Sequence, residues 1–198
     1  MATVDTKPLT AEEFFDWQAD VDSDVRHELD RGEVIEMNIP GPRHGLVCMN
    51  VGWALTEYAR RRGRGFVTGN DAGVIVERDP DTVAGPDVCY YDASIPFEDV
   101  PVRYSDLRPL VAVEVLSPSD RFGKVVERVN RFLTAGIRLV WVVDPDARNV
   151  TVNRAGRKPL VIGEHGRIVG DELLPDFDVP VADFFAVPLG PAQDSAGG

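Results

Sequence analysis

Two carboxylates carry the strongest chemical signal in this chain. Asp87 stands at the head of one apolar run, GPDVCYY, and Glu114 stands inside another, LVAVEVL. The seven residues from Leu110 to Leu116 read as a strand buried on both faces. An ionised group without a partner is costly there, and a chain keeps one when a cation or a proton transfer compensates it. Two acids delivered by neighbouring strands are a natural way to hold a divalent metal. Hard oxygen donors suit Mg2+ or Mn2+, which retain several waters and so need few protein carboxylates. An ion of that kind lowers the pKa of water and neutralises charge developing on a phosphodiester. The competing reading makes Glu114 a buried acid paired with Arg128 or Arg138, and Asp87 a turn acid following Pro86.

Basic groups follow closely. Lys124 and Arg128 lie one helical turn apart just downstream of Glu114, so one or both can reach back over the sheet end and stabilise charge on a phosphate. The plainer alternatives are a surface Lys124 paired with Asp120 or Glu127, and an Arg128 that only balances Glu114. The strip Arg60, Arg61, Arg62 and Arg64 reads either as a phosphate contact or as a solvated helix end favoured by the helix dipole. Ser117 and Ser119 in SPS read as helix caps, since no nucleophile-elbow glycines flank them. Asp144 and Asp146 in VVDPDAR read as turn residues without chemistry. Phosphate-cradling glycine motifs are absent from the sequence.

The elements that must position these groups can be traced along the chain. Thr10 and Glu13 have capping-box spacing, which predicts a short helix over residues 10–20. VRHELDRGEVIEM predicts a hairpin turning at Asp30-Arg31-Gly32. After the turn IPGPRHG, helical spacing of apolar residues runs from His44 to Arg62 and stops at Gly63 and Gly65. GFVTGNDAGVIVERD and GPDVCYYD predict two strands joined by a loop, and SIPFEDVPVRYSDLRP an irregular connection. LVAVEVL is then the central strand. The helix after it, capped by Ser117 or Ser119, carries the stripe Val125, Val126, Val129, Phe132 and Leu133 and stops at Gly136. With RLVWVVD it forms a parallel crossover unit. NVTVNR alternates like an edge strand, and the segment after it predicts a hairpin with a short helical turn. The sum is one α/β domain over residues 10–187, with an N-terminal extension at 1–9 and a flexible tail at 188–198.

Bulk properties limit the function classes. A chain of 198 residues has room for one sizeable core. A net charge of −12 argues against a basic nucleic-acid coat protein, but not against a nuclease, whose metal site requires clustered acids. No apolar run reaches the ~20 residues of a membrane span, and the N-terminus has no signal-peptide pattern. Cys48 and Cys89, set among apolar residues, are too few for a disulfide framework or a zinc site. A cytoplasmic location is expected. Trp53 and Trp141 are expected as core or interface anchors rather than base-stacking platforms.

GPDVCYY, then VAVEVLSPSDR, then a helix ending in TAGIRLVWVVDP, resembles the Uma family of restriction-endonuclease-like proteins within the PD-(D/E)XK nuclease superfamily. HELDRGEVIEM resembles the family's early hairpin, and the likeness extends over residues 10–187. It implies a restriction-endonuclease-like mixed sheet flanked by helices and a Mg2+-dependent endonuclease, with Mn2+ able to replace Mg2+. Nucleic acid, DNA first, is the implied substrate, and a homodimer the implied assembly. Asp87 and Glu114 are the implied metal ligands, Glu28 a third acid, and His44 a residue near the same cleft. Two positions depart from the superfamily pattern. Leu116 stands where the basic pattern has a lysine, a difference the Uma group generally shares, and Arg128 stands where the family's helix lysine aligns. Arginine keeps the charge but does not release a proton near neutrality. The implied alternative is therefore a catalytically impaired nuclease fold that acts by binding nucleic acid or protein.

Overall fold

Local signals set where each element begins. The computed structural model describes residues 7–21, 25–70 and 72–187. In α1 (Ala11–Asp20) the Thr10 hydroxyl accepts from the Glu13 N–H at 3.1 Å, and the Glu13 carboxylate accepts from the Thr10 N–H at 2.8 Å. This is the reciprocal cap that the spacing predicts. Strands β1 (Arg26–Asp30) and β2 (Glu33–Met37) form the expected hairpin. Its turn puts Arg31 and Gly32 at φ 52° and 80°, and a Cβ on Gly32 would lie 2.3 Å from the Cβ of Pro8. Only glycine fits there. Helix α2 (Pro42–Arg62) starts two residues before the predicted His44, because a proline in the first turn is preset for a helix and loses no bond.

The next stretch departs from the expectation of two strands. It holds four: β3 (Phe66–Gly69), β4 (Val74–Glu77), β5 (Thr82–Ala84) and β6 (Val88–Tyr91). β4 pairs with β5 and β5 with β1, giving a four-stranded sheet in the order β2-β1-β5-β4. β3 and β6 belong to a second sheet. At three and four residues, β5 and β4 are too short to show a periodicity against their polar turn.

The second sheet is completed by β7 (Val111–Val115), β8 (Leu139–Asp144), β9 (Asn149–Asn153) and β10 (Leu160–Gly163). Its order is β10-β9-β8-β7-β6-β3. β7 and β8 run parallel through the crossover helix α3 (Phe122–Thr134), and the other neighbours are antiparallel. β9 is not the edge expected of it, since β10 pairs along its outer side. β10 escaped the reading because its side chains are largely exposed and do not alternate. α3 begins at Phe122, and no side chain among the described residues caps it. The expected caps fail because Arg121 holds the cap position, past both serines; the Ser117 N–H donates to the Asp120 carboxylate at 2.7 Å in a turn before the helix starts. A hairpin of β11 (Arg167–Val169) and β12 (Asp178–Pro180) and a 3-10 turn at Val181–Phe185 end the described chain, as the pattern predicts. The tail at 188–198 and residues 1–6 of the extension lie outside the described residues.

Strand parity divides the core. Val111, Val113 and Val115 of β7 pack on the α2 side with Val51, Leu55 and Trp141, whereas Ala112 packs on the α3 side with Cys89, Phe132 and Val140. Glu114 shares the parity of Ala112 and so meets α3. A third apolar cluster seats Phe14 of α1 on Leu29, Ile75 and Val83 of the smaller sheet. Trp141 is buried in the core, and Trp53 is exposed on α2.

Candidate active site

β6 and β7 are in register at Val88 and Val113, so one residue further out lie Asp87 and Glu114. The Asp87 carboxylate oxygen Oδ2 accepts the Val115 N–H at 2.7 Å and so closes the end of the β6–β7 ladder. The same oxygen is 3.3 Å from Nε2 of His44, in the first turn of α2, and the two side chains are each only 12% exposed. Glu114 is reached from α3. Its Oε2 lies 2.8 Å from Nε of Arg128, while its Oε1 is buried and finds no hydrogen-bond partner among the described residues.

The smaller sheet supplies the third acid. Arg128 donates from Nη1 and Nη2 to the two oxygens of Glu28 on β1, at 2.7 and 2.8 Å, and from Nη2 to the Gly85 carbonyl at 3.1 Å. The Gly85 N–H returns a bond to Glu28 at 2.8 Å. One guanidinium therefore ties the acid of one sheet to the acid of the other through a bidentate fork. Burial pushes the Glu114 carboxyl up to about 8; the Arg128 charge opposes this, and the charges of Asp87 and Glu28 add to it. Arg128 is held well above its ordinary range, because the charges of Glu114 and Glu28 outweigh the cost of its burial.

Asp87, Glu114, Glu28, His44, Lys124 and Arg128 all line one cleft of about 550 Å3. The sequence-predicted residues are thus brought together, although not equivalently. Arg128 is spent on two acids. Lys124 stands on the exposed rim, its Nζ 2.9 Å from a Glu127 that is itself half exposed. Glu114 pairs with Arg128 through one oxygen, as the competing reading expects, and its other oxygen has no partner among the described residues. The arginine strip does not line the cleft, since Arg60 pairs with Glu57 and Arg62 and Arg64 pair with Asp92. Sequence reasoning passed over Arg131, which binds Asp30 at 2.9 Å in the lining of the cleft, and set Cys48 aside as a packing residue, although its Sγ lies 3.4 Å from Nδ1 of His44. The four-residue spacing of His44 and Cys48 on one helix was the available signal for the second.

A mixed sheet with helices on both faces, and acids meeting at the ends of adjacent central strands, defines a restriction-endonuclease-like α/β domain. The chain matches the Uma2 family, described as "Putative restriction endonuclease", over residues 11–182, and it belongs to that family. Its fold is similar to that in the crystal structure of "a putative nuclease belonging to DUF820" from Anabaena variabilis. The TM-score is 0.74 and the identity 19%, with 90% of this chain and 98% of that one covered. At that identity the likeness is one of fold. Comparison with curated proteins gives no match.

Proposed function

We propose that the cleft is the active site of a divalent-metal-dependent nuclease that hydrolyses phosphodiester bonds in nucleic acid, DNA in the first instance. The observation that carries this reading is Glu114, a buried carboxylate with one oxygen unpaired, across a strand pair from Asp87. The donor types in the cleft suit a hard cation. Asp87 and Glu114 supply oxygen donors, with Glu28 as a third acid in the same cleft, a set suited to Mg2+ or Mn2+. When bound, such an ion supplies charge neutralisation at phosphate and acidifies water.

The chain's own groups have separate tasks. The Val115 N–H and His44 fix the Asp87 carboxylate at the cleft wall. Lys124 can turn toward a phosphate, because an exposed pair such as that with Glu127 is worth only about 0.2–1 kcal/mol. Arg128 gathers Glu28 and Glu114 and balances their charge until a metal competes for the acids or a phosphate for the guanidinium. The family description and the name of the structural neighbour both support a nuclease. Cutting both strands of a duplex calls for two sites, so the reading includes a homodimer, and two cysteines outside any disulfide suit a reducing cytoplasm. Among the described residues no helix is long and apolar enough to cross a membrane.

Titration calorimetry with Mn2+ and Mg2+ on the wild type and Glu114→Ala tests the metal site. Equal binding by the two proteins removes it. The closed fork between Arg128 and Glu28 favours a second reading, a nuclease fold that binds nucleic acid or protein without cutting. Assays on supercoiled, linear and single-stranded DNA separate the two readings. Inactivity with salt-sensitive binding selects the second.

A further inference from the structure

The same end of the sheet carries a second donor set, of different chemistry. His44 and Cys48 are four residues apart on α2 and so share a face, and that face abuts Asp87 at the head of β6. The imidazole lies between the other two groups, with Nδ1 3.4 Å from Cys48 Sγ and Nε2 3.3 Å from Asp87 Oδ2. One ligand atom from each of the three residues lies within 4.8 Å of the others. A tetrahedral zinc ion with bonds of about 2.0–2.3 Å needs its ligand atoms roughly 3.3–3.8 Å apart. Turning the imidazole so that one ring nitrogen faces both partners, together with side-chain rotation at Cys48 and Asp87, is needed to close the difference.

We propose that His44, Cys48 and Asp87 form a binding site for a thiophilic divalent cation of the zinc class. Sulfur and imidazole nitrogen select such ions over Mg2+, which the oxygen donors of Asp87 and Glu114 suit. Charge also balances, since a thiolate and a carboxylate together neutralise one divalent ion and leave the imidazole neutral. Binding takes the proton from the Cys48 thiol, so affinity rises with pH. Three protein ligands leave a fourth position open, the pattern of exchangeable rather than closed structural zinc sites. Cys89 provides a contrast: it is fully buried, and burial pushes its thiol far up. The zinc site does not require the cleft to cut nucleic acid, although it shares Asp87 with the nuclease reading.

Cobalt(II) titrated into the full chain under a non-coordinating reductant tests the assignment, because a cobalt–thiolate bond gives a near-ultraviolet charge-transfer band. The expected result is one cobalt per chain with that band, displaced by Zn2+. Cys48→Ser should abolish the band and weaken cobalt binding at least tenfold, and His44→Gln should weaken it at least tenfold with the thiol still present. Cys89→Ala and Glu114→Gln should leave the band intact. Circular dichroism melting of each variant establishes that it is folded before titration. Loss of Mn2+ binding in Glu114→Gln, with the cobalt band retained, separates this site from the oxygen site. The proposal is overturned if saturating cobalt gives no band in the wild type, or if the band survives Cys48→Ser.

Discussion

Two acids stand near the same end of the neighbouring parallel strands β7 and β8, and they have opposite surroundings. Asp144 ends β8, and its Oδ1 accepts the N–H groups of Asp146 and Ala147, each at 2.9 Å. The strand's own turn satisfies it, as the sequence reading of VVDPDAR expects. Glu114 sits one residue inside β7, on the α3 face, where the chain leaves through Leu116 and Ser117 without turning its amides back. Its oxygens must find partners from distant elements, and among the described residues only one does. An acid at a strand end is a turn device when local backbone donors reach it. When they do not, it becomes a demand for a cation.

The largest test of this contrast is Arg128→Met. It leaves Glu28 and Glu114 in the cleft without their shared cation, and breaking a buried pair from one side costs about 3–5 kcal/mol. Urea unfolding at pH 8 reads the loss. Added Mn2+ should stabilise this variant more than the wild type, because no guanidinium competes for the acids. An Arg128→Met protein as stable as the wild type would break the comparison.

Acidity gives the next effect. The folded chain holds a proton on Glu114 up to about pH 8, while the unfolded carboxyl releases it near its ordinary value of 4.5. Between those values the native state binds more protons than the unfolded one, so this group makes stability fall as pH rises, by up to about 1.4 kcal/mol per pH unit. Above the folded value the slope vanishes. Glu114→Gln should remove the decline across that window, as measured by thermal melting from pH 5 to pH 9. Metal binding near pH 7 should release up to roughly one proton in the wild type, detectable by calorimetry in buffers of different ionisation enthalpy. An unchanged pH slope in Glu114→Gln would place the proton elsewhere.

What the sequence disclosed follows the range of the forces involved. The Thr10–Glu13 cap, the β7–α3–β8 crossover and the opposition of Asp87 to Glu114 are local or register effects, and strand parity alone sends Glu114 toward α3. The bond from Glu28 to Arg128 joins positions far apart in the chain and in different sheets; resemblance pointed to Glu28, and periodicity could not. The β4–β5 pair and β10 were hidden because short or exposed strands carry little apolar pattern. Ser117 and Ser119 lost their expected capping role because a turn closed by Asp120 delays the helix start to Phe122, which serine spacing alone does not reveal. Cys48 was hidden for another reason. A lone cysteine among apolar residues reads as packing until the fold sets a histidine and an aspartate beside it.

The smallest effects belong to the β8–β9 turn and sharpen the contrast from its satisfied side. Asp144→Ala removes the acceptor of two backbone N–H groups in an exposed setting, where water replaces part of what is lost. A cost of about 1–2 kcal/mol is expected, with Mn2+ and cobalt binding unchanged. Arg43→Ala, which breaks an exposed 2.7 Å pair with Asp146, should cost under about 1 kcal/mol, less in high salt. Urea unfolding at low and high salt gives both figures, and the titrations described above give the binding. If Asp144→Ala weakens metal binding as much as a change at Glu114 does, the two strand ends form one functional unit. The distinction between an acid answered by its own turn and one left open would then fail.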